Sequence, residues 1–192
     1  MANSPIILAV DTSDFDTARA WIDATRESLD IYKLGLEFFL TFGCEGIEKI
    51  SRDSGASIFL DLKLHDIPNT VAGGIRAVVE LAPTFITIHA SGGREMMKAA
   101  VDEAGAQAAK FNVPRPRLLG VTVLTSLDRS DLEATGVNAD PSDQVLRLAD
   151  LAHGSGLDGV ICSPHEIAAL RKQCGPDFVL MVPGIRPVGS AA

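Results

Sequence analysis

The sequence predicts an α/β protein, and within that class a (β/α)8 TIM barrel in which strands and helices alternate along the chain. Three observations favour this fold. Short apolar runs of strand length recur at a steady interval, most segments between them carry helical periodicity, and polar residues stand at the ends of several different strands. Because strand–helix–strand connections join parallel strands, we expect a parallel sheet with helical crossovers.

The predicted strands are the apolar runs, each of which is short enough to cross a sheet once. Their spacing leaves room for a helix after most of them. The runs cover residues 6–11, 31–35, 57–63, 85–90, 118–124, 159–163 and 179–184.

The helix after the first strand is predicted from a stripe of residues three or four positions apart. Such a stripe places its members on the side of the helix that packs against the sheet. They are Ala18, Trp21, Ile22, Thr25 and Leu29.

The last helix has both a start and a stop signal. Ser163-Pro164-His165-Glu166 combines a capping box with a proline at the first helical position. Gly175-Pro176 cannot continue a helix, so we expect the helix to end just before it.

A doubly wound sheet shows the same alternation, so the positions of the polar residues decide between the two folds. No Gly-x-Gly-x-x-Gly follows the first strand, which removes the dinucleotide-binding fingerprint. A doubly wound sheet binds ligands at one switch point, whereas a barrel collects functional side chains from the carboxyl ends of many strands. The polar strand-end residues, which favour the barrel, are Asp11, Lys33, Asp61, Lys63, His89, Thr125 and Arg186.

The number of predicted strands is one short of a closed barrel. The seventh run is followed only by a short segment that ends at Ala192. We therefore expect residues 1–192 to be a single TIM-barrel domain that is incomplete at its C-terminus, with the eighth strand and the last helix absent from this chain.

Composition and charge limit the kinds of partner. No apolar run reaches the roughly 18 residues of a membrane span, and residues 1–5 carry no basic segment, so we expect no membrane contact, no signal peptide and a cytoplasmic protein. The net charge of −8 disfavours nucleic acid. The three cysteines show neither metal-ligand spacing nor an even disulfide set, and we expect reduced thiols.

The third strand carries the most informative motif, the ten residues from Asp61 to Thr70 with the sequence DLKLHDIPNT. Side chains alternate between the two faces of a strand, so Phe59, Asp61 and Lys63 share one face. Charges beside a buried surface are costly unless they are paired or used. The third charge, at Asp66, and the rigid turn that follows it favour a functional site over a structural ion pair.

Four of these charges are expected to meet at the barrel mouth. Asp11, Lys33, Asp61 and Lys63 end three consecutive strands, and neighbouring strands lie about 4.8 Å apart. Alternating charges keep one another ionised, which suits proton delivery to a carbanion. A Schiff-base lysine needs a lowered pKa, which neighbouring carboxylates oppose. A structural ion network at the barrel rim is the alternative.

Three further side chains are weaker candidates. Arg186 follows the seventh strand, where barrels often bind phosphate, although a solvated surface arginine is the alternative. Thr125 follows the fifth strand and could bind a polar ring, or simply cap a turn. For His65 and His89 we expect hydrogen-bonded structural roles, and no histidine has convincing metal-ligand spacing.

The motif from Asp61 to Thr70 resembles the signature of the orotidine 5′-monophosphate decarboxylase family. Similar segments run the length of the chain, at residues 9–11, 33–35, 89–93, 121–126 and 183–187. The resemblance implies a (β/α)8 barrel that works as a homodimer, with no metal and no organic cofactor. It also implies decarboxylation of orotidine 5′-monophosphate to uridine 5′-monophosphate, the last step of de novo pyrimidine nucleotide synthesis.

The resemblance also assigns roles to individual residues. Lys63 would protonate carbon 6 of the pyrimidine as carbon dioxide leaves, and Asp61 would lie beside the departing carboxylate. Lys33, Asp61 and Asp66 would complete the charge array. Asp66 and Thr70 would reach into the partner's site. The remaining contacts to the nucleotide would come from Asp11 and Lys33 to the ribose, Thr125 to the pyrimidine and Arg186 to the phosphate.

Two other functions stay open. A metal-dependent 3-hexulose-6-phosphate synthase shares the Asp61, Lys63, Asp66 pattern but has an acidic residue at the end of the second strand, where this chain has Lys33. A cation there would repel a metal ion. A non-catalytic nucleotide-binding or scaffold protein is the second alternative, and substitution of Lys63 would leave such a protein's partner binding unchanged.

Overall fold

The computed structural model describes residues 4–185, which contain a parallel sheet of seven strands in sequential order. Each strand pairs in parallel with its neighbours along the chain, as the barrel prediction requires. The strands are β1 (Leu8–Val10), β2 (Ile31–Gly35), β3 (Ser57–Leu64), β4 (Phe85–His89), β5 (Arg117–Val121), β6 (Gly159–Ile161) and β7 (Val179–Met181).

Seven helices lie between the strands, with two of them between β5 and β6. Short 3-10 segments at Ala90–Gly92 and Pro164–Glu166 precede the fourth and the last helix. The helices are α1 (Phe15–Thr25), α2 (Leu36–Ser54, interrupted at Gly43), α3 (Pro68–Val79), α4 (Arg94–Phe111), α5 (Arg129–Ala134), α6 (Pro141–His153) and α7 (Ile167–Cys174).

The sequential order of the seven parallel strands confirms the predicted α/β barrel architecture, although the limits of individual elements differ. In α1 the predicted stripe holds for Ala18 and Ile22, which are buried, whereas Trp21 is 42% exposed and Leu29 lies beyond the helix end. The capping box of Ser163 and Glu166 is present, but it begins the 3-10 segment before α7. As predicted, α7 ends just before Gly175, which has φ of 84°.

The sheet separates two apolar layers. The outer layer lies between strands and helices and includes Leu34 and Leu60. The inner layer is formed by Phe59, Phe85 and Leu119, and the rings of Phe59 and Phe85 meet edge to face with their centroids 5.7 Å apart. The predicted division of β3 is confirmed, since alternate residues enter the two layers.

The amino-terminal end of the sheet is held by charges as well as by packing. The guanidinium of Arg117 lies 4.5 Å from the ring centroid of Phe85. Arg115 Nη1 lies 2.9 Å from Asp158 Oδ1, and Asp158 Oδ2 accepts a hydrogen bond from the Leu118 backbone N–H at 2.7 Å. These contacts join the start of β5 to the start of β6.

The pairing of β3 with β4 is irregular where the charged motif begins. Leu60 is paired with Ile86, but the next pair along is Leu64 with Ile88, so β3 uses more residues than β4 over the same distance. Lys63 lies in this bulge with φ of +48°, a region that costs a residue other than glycine roughly 1–3 kcal/mol. Bulges of this kind redirect side chains next to functional sites.

No helix within the described chain is long and apolar enough to cross a membrane. Cys44, Cys162 and Cys174 are free thiols, as predicted. Burial raises the pKa of the Cys162 thiol to about 11, which makes it a weak nucleophile.

Candidate active site

A cavity of about 300 Å³ opens at the carboxyl ends of the first three strands. This size is at the lower end of the range for small-molecule sites, which is roughly 300–1,000 Å³. The residues that line it are Val10, Asp11, Thr12, Lys33, Gly35, Leu36, Glu37, Phe38, Asp61 and Lys63.

Four charged side chains form a continuous array along this cavity. Lys33 Nζ lies 3.0 Å from Asp11 Oδ1 and 3.5 Å from Asp61 Oδ2. Lys63 Nζ lies 2.7 Å from the same Asp61 Oδ2. The order is therefore aspartate, lysine, aspartate, lysine, and the structure brings together the four residues that were predicted to meet.

The array becomes more buried towards its centre. The Lys33 side chain is 18% exposed and that of Asp61 is 13% exposed, whereas Asp11 at one end is 68% exposed. Lys63 at the other end is 38% exposed and faces the cavity. Burial strengthens the electrostatic interactions at the centre of the array, between Lys33 and Asp61. The side chains at its two ends, Asp11 and Lys63, stay accessible to a ligand.

The carboxyl group of Asp61 is held in its charged form. Burial by itself would raise its pKa, but the hydrogen bond from Lys63, the charges of Lys63 and Lys33 and a hydrogen bond from Thr87 together keep the pKa below its usual range. Asp61 is therefore an anion at neutral pH and stabilises both ammonium groups.

Thr87 is a site residue that sequence analysis missed. It lies on β4 at 0% exposure and its Oγ1 donates to Asp61 Oδ1 at 2.9 Å. The same Oγ1 accepts the backbone N–H of Lys63, also at 2.9 Å. A signal was available, because Phe85, Thr87 and His89 share one face of the strand, so this hydroxyl lies on the same side of the sheet as Asp61.

Asp66 and Thr70 lie apart from the array within this chain. Both are exposed at the start of α3, and Asp66 Oδ1 accepts the backbone N–H of Ile67 at 2.7 Å. Asp66 forms no ion pair with any other residue that the structure describes. Among the described residues Asp66 therefore does not join the array as its predicted third carboxylate.

Of two further predicted ligand-binding residues, one lies apart from the cavity and the other is outside the part of the chain that the structure describes. Thr125 is exposed in the turn after β5 and is not among the cavity's lining residues. Arg186 lies outside the described residues. Their roles stay predictions.

No side-chain hydrogen bond of His65 or His89 is found among the described residues, so their expected hydrogen-bonded roles stay predictions. Their rings pack together instead, with centroids 5.2 Å apart and planes inclined at 30°. Burial lowers the pKa of His89, and the nearby His65 and Lys63 lower it further. The pair is therefore a packing contact beside the array. Within residues 4–185 no group of three or more His, Cys, Asp or Glu side chains is arranged to hold a metal ion.

The fold and the site together define a class: an α/β-barrel enzyme with an array of paired charges at the carboxyl ends of its strands. The chain belongs to the family described as orotidine 5′-phosphate decarboxylase / HUMPS, whose sequence profile matches residues 4–192. The family that was inferred from the motif is therefore confirmed.

Individual relatives agree with this assignment. The chain is 50% identical over 187 residues to orotidine 5′-phosphate decarboxylase of Gluconobacter oxydans (strain 621H), covering 97% of this chain and 78% of that protein. It is 48% identical over 189 residues to the protein of that name from Paramagnetospirillum magneticum (strain ATCC 700264 / AMB-1), covering 98% and 80%. The crystal structure of orotidine 5′-phosphate decarboxylase from Lactobacillus acidophilus superposes with a TM-score of 0.83 at 39% identity, covering 96% of this chain and 83% of that one.

Proposed function

We propose that this chain decarboxylates orotidine 5′-monophosphate to uridine 5′-monophosphate and carbon dioxide, the last step of de novo pyrimidine nucleotide synthesis. The observation that carries the proposal is the unbroken array of Asp11, Lys33, Asp61 and Lys63 in a member of this family. The high coverage of relatives named for this activity supports it.

The reaction breaks the bond between carbon 6 of the pyrimidine and its carboxylate carbon. Carbon dioxide leaves, and the bonding electron pair stays on carbon 6 as a poorly delocalised carbanion. Lys63 Nζ then donates a proton to carbon 6, which yields the product, and solvent restores the ammonium group. A preorganised cation beside the developing negative charge lowers the barrier because it interacts more strongly with the transition state than with the substrate.

Asp61 and Lys33 keep that proton donor in place. Asp61 Oδ2 contacts both ammonium groups, at 2.7 Å from Lys63 and 3.5 Å from Lys33, so its negative charge offsets the repulsion between them. In this proposal the carboxylate of Asp61 lies beside the leaving carboxylate of the substrate. Asp11 and Lys33 line the cavity and are the proposed ligands of the ribose hydroxyls.

The proposal assigns the pyrimidine to Thr125 and the phosphate to Arg186. The support is the family relationship and the match of the profile through residue 192. A guanidinium binds phosphate oxygens in bidentate fashion, so Arg186→Lys is expected to raise KM for the nucleotide. Orotidine without its phosphate is the control substrate, because its turnover should respond little to this change.

We also propose that the active form is a homodimer in which Asp66 and Thr70 complete the partner's site. Both side chains are exposed, and the neighbouring Ile67 is a 66% exposed apolar residue. Mixing inactive Lys63→Ala and Asp66→Ala subunits should restore about a quarter of wild-type activity, since half of the dimers are mixed and carry one intact site. No recovery after verified subunit exchange would contradict a shared site.

The first experiment is loss of orotidine 5′-monophosphate absorbance in the presence of excess EDTA. Turnover under chelation is the expected result, and it would also exclude the metal-dependent synthase activity. No turnover by folded protein would contradict the proposed function and leave a binding protein.

We further propose that residues 1–192 act as one catalytic domain in the cytoplasm. The three free thiols support this compartment, because free thiols are typical of a reducing environment.

A further inference from the structure

The hydroxyl of Thr87 connects the two residues at the centre of the proposed chemistry. It donates to Asp61 Oδ1 at 2.9 Å and accepts the Lys63 backbone N–H at 2.9 Å. A hydroxyl has one proton to donate, so the carboxylate takes the whole donor capacity of this buried group. The contacts cross from β4 to β3, where the regular pairing of the two strands is interrupted.

These contacts divide the work of the Asp61 carboxylate between its two oxygens. Oδ1 is bound by Thr87, while Oδ2 alone serves Lys63 and Lys33. A carboxylate fixed at one oxygen cannot rotate about its terminal bond without losing that hydrogen bond. The position of Oδ2, and with it the distance between the two ammonium groups, therefore depends on Thr87.

The second contact supports the backbone of the proton donor. Lys63 has φ of +48°, a conformation that persists in a residue other than glycine only when its surroundings hold it. Its N–H is held by Thr87, so the same hydroxyl stabilises the bulge from which the Lys63 side chain projects.

We propose that Thr87 is a positioning residue that sets the Asp61 carboxylate and the Lys63 backbone in the geometry needed for proton transfer, without touching the substrate. This inference rests on the proposed function. Packing alone does not call for a hydroxyl here, because valine has nearly the same shape and suits a buried strand better.

Thr122 is a second buried threonine of this sheet, and its hydroxyl has no contact with the charge array. It lies just after β5 at 5% exposure, and its Oγ1 donates to the backbone carbonyl of Ile161 at 2.9 Å. Both threonines are buried and satisfied, but one hydroxyl donates to the backbone and the other to the charge array. Thr122→Val is therefore the matched control for Thr87→Val.

The test compares Thr87→Val, Thr87→Ser and Thr122→Val in the full chain. For Thr87→Val we expect kcat to fall by about 10- to 100-fold with KM changed less than about threefold, because misplaced groups cost turnover more than binding. Thr87→Ser should restore most of kcat, since it keeps the hydroxyl. Thr122→Val should lose similar thermal stability and keep kcat within about twofold of wild type.

A readout that needs no turnover is the titration of the Asp61 carboxyl, followed by NMR with carbon-13-labelled aspartate. Thr87→Val removes a hydrogen bond that stabilises the Asp61 carboxylate, so the pKa of Asp61 should rise in this variant. The pKa of Asp61 should be unchanged in Thr87→Ser and Thr122→Val, because both keep that hydrogen bond. In the active enzyme, the acid limb of the kcat profile should move to higher pH in Thr87→Val alone.

The inference is wrong if folded Thr87→Val keeps wild-type kcat, or if Thr87→Ser is as impaired as Thr87→Val. If Thr87→Val does not fold, Thr87→Ala gives the same comparison with a smaller side chain. Wild-type turnover is measured first. An inactive wild-type chain contradicts the proposed function, whereas an active wild type with a fully active Thr87→Val contradicts only the role of Thr87.

Discussion

The two ends of the sheet's inner face are formed by the same strands, but one end is an apolar packing layer and the other carries the charge array. At the amino-terminal end, Phe59 and Phe85 pack against each other with Leu119 in an apolar floor. Two residues further along the same face of β3 and β4, Asp61 and Thr87 belong to the charged mouth. Because residues two positions apart lie on the same face of a strand, one face of β3 or β4 can hold a packing residue and, at the next position on that face, a residue of the charge array.

The charges at the two ends also differ in their partners. At the floor, Asp158 is bound by Arg115 and by the Leu118 N–H, all of which belong to the ends of neighbouring strands. At the mouth, Asp61 is shared by two lysines that both line an open cavity. Charged groups at the floor therefore hold strand ends together, whereas those at the mouth keep ammonium groups ready for a ligand.

The largest effect on activity is expected at the mouth, from Lys63→Ala. Removing the proton donor and its cationic charge should lower kcat by about 10⁴-fold or more, with the fold unchanged. Steady-state kinetics and thermal unfolding check this. Lys110→Ala, which removes a lysine on α4 that lies over the Phe111 ring, is the control and should keep full activity. Substantial turnover by Lys63→Ala would remove Lys63 from the mechanism.

The largest effect on stability is expected at the floor, from Phe59→Ala. The ring is 2% exposed and packs on Phe85, so its loss should lower the free energy of unfolding by about 3–5 kcal/mol. Denaturant titration measures the change, and Phe59→Leu should lose clearly less. A kcat per folded molecule that fell as far as in Lys63→Ala would show that floor and mouth are not separate in function.

A smaller effect is expected in the pH dependence of stability, to which Asp61 at the mouth should contribute. Because the pKa of Asp61 is lower in the folded state, its contribution to stability is present above its unfolded value, near 4, and is lost as the pH falls through the folded value. The stability difference between wild type and Asp61→Asn should therefore shrink below about pH 4. Denaturant titrations across the acid range test this, and a constant difference would contradict the lowered pKa.

The smallest change tests the shape of the cavity. A methyl group at Gly35 would lie 3.8 Å from Asp11 Oδ1 and 3.8 Å from Lys33 Nζ, which is ordinary contact, so Gly35→Ala should fold normally. The methyl group would occupy space proposed for the ribose, and we expect KM to rise by about tenfold with a smaller change in kcat.

Gly105→Ala on α4 is the matched glycine control, because nothing lies within 4 Å of the added methyl group. It should leave KM unchanged and stabilise the helix by up to about 1 kcal/mol. An unchanged KM in Gly35→Ala would place the substrate elsewhere in the mouth.

The amino-acid sequence by itself determined the alternation of strands and helices, the two faces of β3 and the four charged residues of the array. These follow from local periodicity and from the rule that parallel strands present their carboxyl ends at one edge. The family could also be inferred from the residues between Asp61 and Thr70, because so specific a run of residue types constrains both chemistry and backbone.

Only the tertiary structure decided which of these groups share a hydrogen bond. Thr87 Oγ1 reaches Asp61 Oδ1 where the pairing of β3 with β4 is irregular, and the rings of His65 and His89 meet with their planes inclined at 30°. Trp21 fits the helical stripe of α1 and is nevertheless 42% exposed. Periodicity assigns a side chain to a face, but the neighbours on that face come from distant parts of the chain, and their distances are set by packing.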